Sequence, residues 1–449
     1  MKEMIFATSQ NRMRRLLFFA LASFALLLPY RVCGKGSVTI SSAAELRRLP
    51  ADIAGTEIVW RNGNYHNQVV TITASGTESE PIIIRAETLG GVRFTGTSSL
   101  RIKGSHIVVR GFYWDNPLPE KGIVISFDKI SSHSVVEQCV ITGEKSPMRP
   151  QNNIKWVSLW GYKNRVEYCS FLDKRDLGQI LIVRIAEGEQ PPQHIVRNCY
   201  FTRPNSLLND NGGRINGQCC IRFGTSNVVH LRAECVVEHC HFDRCNGEGE
   251  IVSNKCGGNI FRNNLFYACR GSLSLRHGNE AQVIGNYFLG NDEPLTGGIR
   301  AVGENHIISG NYLSNLRIGS ATRRHGAIHL MQGQKDATAG GYPQVKGAVV
   351  RQNIIVNCRY GISANAQRDD CVLPVIGSVV EQNIVVASDD CCTVACEDAQ
   401  HDIVWRGNKL YGGYQRGISL EQTKKAPKLP KIDSAVESIR SNAGALFVK

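Results

Sequence analysis

VVEQCVI at Val135–Ile141 decides the fold, because the chain repeats it. The same phrase returns as NRVEYCSF at Asn164–Phe171, HIVRNCYF at His194–Phe201 and CVVEHCHF at Cys235–Phe242. It continues as NIFRNNLF from Asn259, AQVIGNYF from Ala281, NHIISGNYL from Asn305, AVVRQNII from Ala348, SVVEQNIV from Ser378 and DIVWRGNKL from Asp402. Each copy is a short β-branched run, one or two polar residues, a pivot and a second apolar run. The pivots are Cys139, Cys169, Cys199, Cys240, Asn264, Asn286, Asn311, Asn353, Asn383 and Asn408. They lie 22 to 30 residues apart, except for two gaps of 41 and 42.

A period of that length marks a solenoid. The runs are rich in Val, Ile and Phe and alternate in polarity, so they are strands rather than helices. A strand repeated once per coil stacks parallel on its neighbours and buries its inward side chains against them. The fold class expected is all-β: a single-stranded, right-handed parallel β-helix, the hand following from parallel crossovers. A pivot amide can bond the amide of the next coil as a stacked ladder. A small, apolar Cys fits the same slot, so Cys139, Cys169, Cys199 and Cys240 are read as buried thiols rather than disulfides. The two long gaps are insertions on one face, where solenoids often build a binding surface. IVWRNGNYHNQVVTITASG and IIIRAETLGGVRFTG supply the first coils, and the repeat runs over 36–415.

Around that core the chain divides into a leader, 1–34, a β-helix domain, 35–422, and a tail, 423–449, read as an extension or cap. Arg12, Arg14 and Arg15 precede the apolar run Leu16–Leu28, which Pro29 ends. That is an export signal, too short for a comfortable membrane span; a retained short anchor is the other reading. Export predicts a secreted or periplasmic protein. No second apolar stretch reaches spanning length, so no stable membrane span is expected. The formal charge of +13 points to an acidic partner. By itself it leaves nucleic acid, anionic lipid and anionic polymer open. The oligomeric state is not encoded in any feature of the sequence.

One coil is unlike the others: RCNGEGEIVSNKCGGNIFRNNLF, followed by CRGSLSLRHGN. Glu248 and Glu250, with Gly249 between them, alternate in a strand-like stretch, so both carboxylates are expected on one side. Like charges that close repel unless a cation sits between them. Hard oxygen donors favour calcium, and Asn216 of NGQCCIRFG can add an amide oxygen from the preceding coil. Two solvated acids on an exposed strand are the bland reading of the pair. Lys255 follows Glu250, and Arg276 and His277 fall one coil later, beside Lys255. Such a group suits β-elimination on a uronic acid. A cation holds the sugar carboxylate and stabilises the enolate. A partly desolvated Lys among cations can take the C5 proton. An Arg assists the leaving glycosidic oxygen.

EGEIVSNKCGGNIFRNNLFYACRGSLSLRHGN resembles the signature of polysaccharide lyase family 6, the family of alginate lyases and chondroitinase B. WVSLWGYKNRVEYCSF, NDNGGRINGQCCIRFG, GNDEPLTGGIRAVGENHIISGNYL and AIHLMQG are similar to family segments in the same order. The resemblance covers most of 37–415. It implies Ca2+ held by Asn216, Glu248 and Glu250, Lys255 as base and Arg276 as acid, with His277 helping to place substrate. The family's Arg ahead of the AIHLMQG stretch falls on Arg323, Arg324 and His325; Arg324 and His325 are taken as substrate contacts. Cys219, Cys220, Cys256 and Cys269 stand where the family more often has Ser, Thr or other small residues. The implied substrate is an anionic polysaccharide, alginate ahead of dermatan sulfate, with no role for nucleic acid.

Three other functions use the same fold. A pectinase-type hydrolase needs carboxylates spaced to admit water, which a close Glu248–Glu250 pair with Lys255 and Arg276 does not provide. A C5-epimerase shares the proton abstraction and differs in leaving the polymer uncut. A non-catalytic binding solenoid would tolerate loss of Lys255.

Overall fold

The structure, a computed structural model, describes residues 36–319, 325–366, 370–397 and 402–448; the leader lies outside them. The chain winds as a parallel β-helix, visiting three long sheets in turn, one of 14 strands and two of 13. Every pairing within these three sheets is parallel and joins a strand to its counterpart one coil on. In one 13-stranded sheet the inward column Leu100, Ile125, Val157, Leu181, Ile221, Val252, Leu273, Ile299, Ile328, Ile362 and Val394 stacks in register down the axis. Phe171, Phe201, Phe242, Phe266 and Phe288 form a second column, their ring centroids 4.5–5.1 Å apart.

The pivots sit where the chain turns from one sheet into the next. The residue before each adopts the left-handed conformation, as at Gln138, Tyr168, Asn198, His239, Asn263, Gln352 and Gln382. Gly285, Gly310 and Gly407 take that corner without strain. The amides then bond in series: Asn264 to Asn286, Asn286 to Asn311, Asn311 to Asn353, Asn353 to Asn383 and Asn383 to Asn408, each Nδ2 donating to Oδ1 at 2.9 Å. The Cys240 amide donates to Asn264 Oδ1 at 3.0 Å, which joins the thiol half of the ladder to the amide half. All fifteen cysteines of the described residues are buried free thiols.

Asn311 shows what the ladder is worth. Its Nδ2 also donates to Val283 O, and its Oδ1 also accepts the Asn286 backbone N–H. Asn311→Leu keeps the volume and strands those partners in the core, at about 1–3 kcal/mol for each unsatisfied group. A loss of about 3 kcal/mol in a denaturant titration is expected. Asn408→Leu, at the half-exposed end of the ladder, is expected to cost less. Equal losses at both sites would contradict this account.

The tail folds back along the outside of the solenoid. Thr423 N–H donates to Leu410 O. The helix Asp433–Asn442 packs Val436 and Ile439 on Leu265. Beyond it, Gly444, Ala445 and Leu446 donate backbone N–H groups to Asn198, Ser170 and Gln138, on successively earlier coils. Among the described residues no helix is long and apolar enough to cross a membrane.

Candidate active site

The strands Ile221–Phe223, Glu250–Asn254 and Gly271–Leu275 lie side by side in one sheet. Asn254 pairs with Leu275, so Lys255 and Arg276 leave adjacent strand ends together. Lys255 Nζ donates to Ser226 Oγ at 3.0 Å and forms no ion pair with a described residue. Burial, chiefly, pushes its pKa below that of an ordinary lysine; Arg276 and Arg222 push the same way and Glu250 opposes them.

The acids are held differently from the expectation of two alternating residues in one strand. Glu250 begins its strand, whereas Glu248 precedes it in a bend. Gly271, one coil on, permits this path: the Gly249 carbonyl accepts from Ser272 N–H, and a Cβ at Gly271 would come within 2.7 Å of that carbonyl oxygen. That close approach goes with a bulge between Glu250 and Val252. The carboxylates still face one another electrostatically. Glu248 accepts N–H bonds from Gly217 at 2.8 Å and Cys219 at 2.7 Å, which sets the loop carrying Asn216 beside it. Burial raises the pKa of Glu248, with the charge of Glu250 adding to it, against the N–H bonds. Partial burial acts on Glu250 in the same direction, but Arg300, which contacts its Oε1, and Arg276, at 3.8 Å, hold its pKa below the ordinary value. Two half-buried carboxylates with an exposed amide alongside, one carboxylate in no ion pair among the described residues, form an oxygen donor set that suits a hard dication.

Arg276 is gripped by the second long insertion. Its guanidinium donates to Gly341 O at 2.6 Å and Gly340 O at 2.7 Å and stacks 3.9 Å over Tyr342. His277 is turned inward, 2% exposed, with Nε2 2.8 Å from Gly341 O. Its pKa falls to about 4, through burial first and the Arg276 charge second, so the ring is neutral. His277, expected to help place substrate, here turns its ring to the Gly341 carbonyl and so braces the loop over Arg276. His325 stacks on His329 at 4.8 Å, and His329 pairs in register with Arg300. Arg324 lies outside the described residues.

The structure adds residues that the motifs did not single out. Ser253, Ser274, Arg300 and His329 continue a column that passes through Ile182 and Arg222. Lys155, Arg184 and Arg222 cluster next to it. Each of the first two is held below its ordinary pKa by burial first and then by its cationic neighbours. The Nε atoms of Arg184 and Arg222 are buried without a hydrogen-bond partner. Half-buried guanidinium groups without acids are costly unless an anion meets them. The register of the repeat was the signal: placing each coil's strand under the last brings Arg222 and Arg300 onto the sheet of Lys255.

A parallel β-helix presenting this basic groove, with paired carboxylates at its centre, is a polysaccharide lyase. The chondroitinase B family profile matches residues 40–419, and the chain belongs to that family. No curated protein sequence matches the chain. Among solved structures, the family 6 alginate lyase AlyGC is 30% identical, with a TM-score of 0.75 over 91% of this chain and 57% of its own. A mannuronic acid specific family 6 lyase from human gut microbiota is 22% identical, with a TM-score of 0.74 over 92% and 96%. Alginate lyase AlyF-OU02, in complex with G6, is 21% identical, with a TM-score of 0.76 over 93% and 96%. The last two likenesses are of fold.

Proposed function

We propose that this lyase cleaves alginate by β-elimination, with Lys255 as base and Arg276 as acid. The observation that carries the reading is the juxtaposition of Lys255 and Arg276 at the ends of adjacent strands, beside half-buried Glu250. Neutral Lys255 takes the C5 proton of the uronate. Arg276, held by Gly340 and Gly341, meets the leaving glycosidic oxygen with its charge and its N–H groups. Arg222, Arg184 and Lys155 offer cations to the carboxylates of neighbouring sugars. Asn216, Glu248 and Glu250 would hold Ca2+, which when bound would neutralise the uronate carboxylate and make its C5 proton more acidic. The leader would send the enzyme to the periplasm or outside the cell, where such polymers are met.

Near-ultraviolet absorbance of unsaturated uronate ends tests the reading, with alginate, its mannuronate and guluronate blocks and dermatan sulfate side by side. Cleavage of alginate is expected. The match to the chondroitinase B profile favours dermatan sulfate as the second reading, and cleavage of that polymer alone would replace the first. An uncut but epimerised product would sink both. EDTA is expected to abolish turnover and added calcium to restore it; full activity in EDTA would remove the metal from the mechanism.

A further inference from the structure

The groove does not end at the basic cluster. Next to Ser226, the partner of Lys255, Thr225 and Asn227 line a cavity of about 310 Å3 whose other walls include Arg184 and Trp160. Trp160 also lines a second cavity, of about 500 Å3, on the far side from Lys255. This larger cavity opens on the same sheet, over the strands Val69–Ile72, Ser99–Ile102, Ile123–Phe127 and Lys155–Leu159. Val69, 51% exposed, gives it an apolar wall. Ser126, Arg101, Lys121 and Lys129 supply donors, and Glu120 and Asp128 are the acids among its walls. Arg101 neutralises Asp128. Lys129 bonds Glu189 at 3.1 Å and lies 4.8 Å over the Trp160 ring. Lys121 is exposed and has no ion-pair partner among the described residues.

We infer that this cavity is a distal saccharide site, taking sugars of the same polyuronate chain that is cut at Lys255. The inference rests on the function proposed above. Three features point to that occupant. First, the two cavities share Trp160 and lead to Lys255 along one sheet, so a single extended polymer can occupy both. Trp160 stands three strands from Lys255, about 14 Å at the spacing of paired strands, and Arg101 five strands, about 24 Å. Second, a half-exposed indole beside an exposed valine suits the C–H face of a sugar ring, which is apolar while its rim is polar. Third, Lys121 offers a cation to the carboxylate of an acidic sugar, and the path from Lys255 is lined by Arg184, which forms no ion pair among the described residues. A chain held at both ends of this groove gains affinity from sugars remote from the bond that breaks, as a second tethered contact does.

The test compares Trp160→Ala and Lys121→Glu with the parent enzyme on polymeric alginate and on an alginate trisaccharide, which places at most two sugars beyond the scissile bond. On polymer, KM is expected to rise about tenfold in each variant while kcat holds. On trisaccharide, both constants are expected to stay at the parent values. Lys121 is a surface residue, so its variant keeps the test sound should Trp160→Ala melt early. Polymer and trisaccharide kinetics that fall together, or polymer KM unmoved in Lys121→Glu, would overturn the distal site. A parent enzyme inert on every uronate polymer would instead sink the function on which the inference rests. In that event, polymer affinity measured by tryptophan fluorescence, unmoved by Lys121→Glu, would dispose of the distal site as well.

Discussion

Lys255→Ala is expected to lower kcat on alginate by about a thousandfold, within the range typical of losing a positioned general base, with the fold intact. Three features of the site lead there. The amine is half-buried and hydrogen-bonds Ser226, a neutral hydroxyl that can accept from an ammonium or donate to a free amine. No carboxylate of the described residues pairs with it, so nothing locks it in the charged form. Burial, then Arg276 and Arg222, disfavour the ammonium. With Lys255 as the proposed base the free amine would be the active species, so kcat/KM should rise with pH along a limb set by this residue. That limb should lie on the acid side of an ordinary lysine's. Arg222→Gln removes one of the cations that lower the pKa, so the limb should move to higher pH. Glu250 acts in the opposite sense. A Lys255→Ala enzyme keeping more than about a tenth of parental kcat would assign the proton to another group.

The coil pattern made the solenoid legible because a β-helix is a local code. A corner, an inward pair and a ladder residue recur in each coil, and stacking forces them into register. Asn264 to Asn408 and the four ladder cysteines could be assigned from spacing alone. Lys255 and Arg276 were legible for the same reason: their strands are consecutive in the sheet. The bend that holds Glu248 was not legible because the close approach of Gly249 and the bulge between Glu250 and Val252 depend on Gly271, one coil away. The grip of Gly340 and Gly341 on Arg276 was invisible, since an insertion of irregular sequence brings together groups 64 and 65 residues apart. The contact of His277 with the same loop was equally invisible, because Gly341 lies 64 residues further along the chain. Arg222 and Arg300 could have been found by aligning coils strand by strand rather than by reading motifs.

Arg203→Leu is expected to be the most damaging substitution outside the reacting groups, although no motif contains Arg203. The residue is wholly buried, and its guanidinium donates to Asp176 O at 2.6 Å and to Gly178 O and Gln218 O at 2.9 Å. Gln218 in turn holds Leu207 and Ile215 through its amide, and so fixes the loop of Asn216 and Gly217. On the other side, a Cβ at Gly247 would come within 2.9 Å of Arg203 Cδ, so the arginine also supports the backbone just ahead of Glu248. One side chain thus sets the distance between the two loops that bring Asn216 and Glu248 together. Leucine leaves three carbonyls unpaired and deprives buried Asp176 of a neighbouring cation, which argues for a loss of about 3–5 kcal/mol. Lysine should not rescue it, because a point charge cannot reach three carbonyls as a planar fork does. Beyond stability, the melting temperature of the parent should rise with calcium, and that rise should shrink in Arg203→Leu because the donors no longer converge. A variant within about 1 kcal/mol of the parent, with an unaltered calcium-dependent rise, would show that the acid-bearing loops hold their places without Arg203.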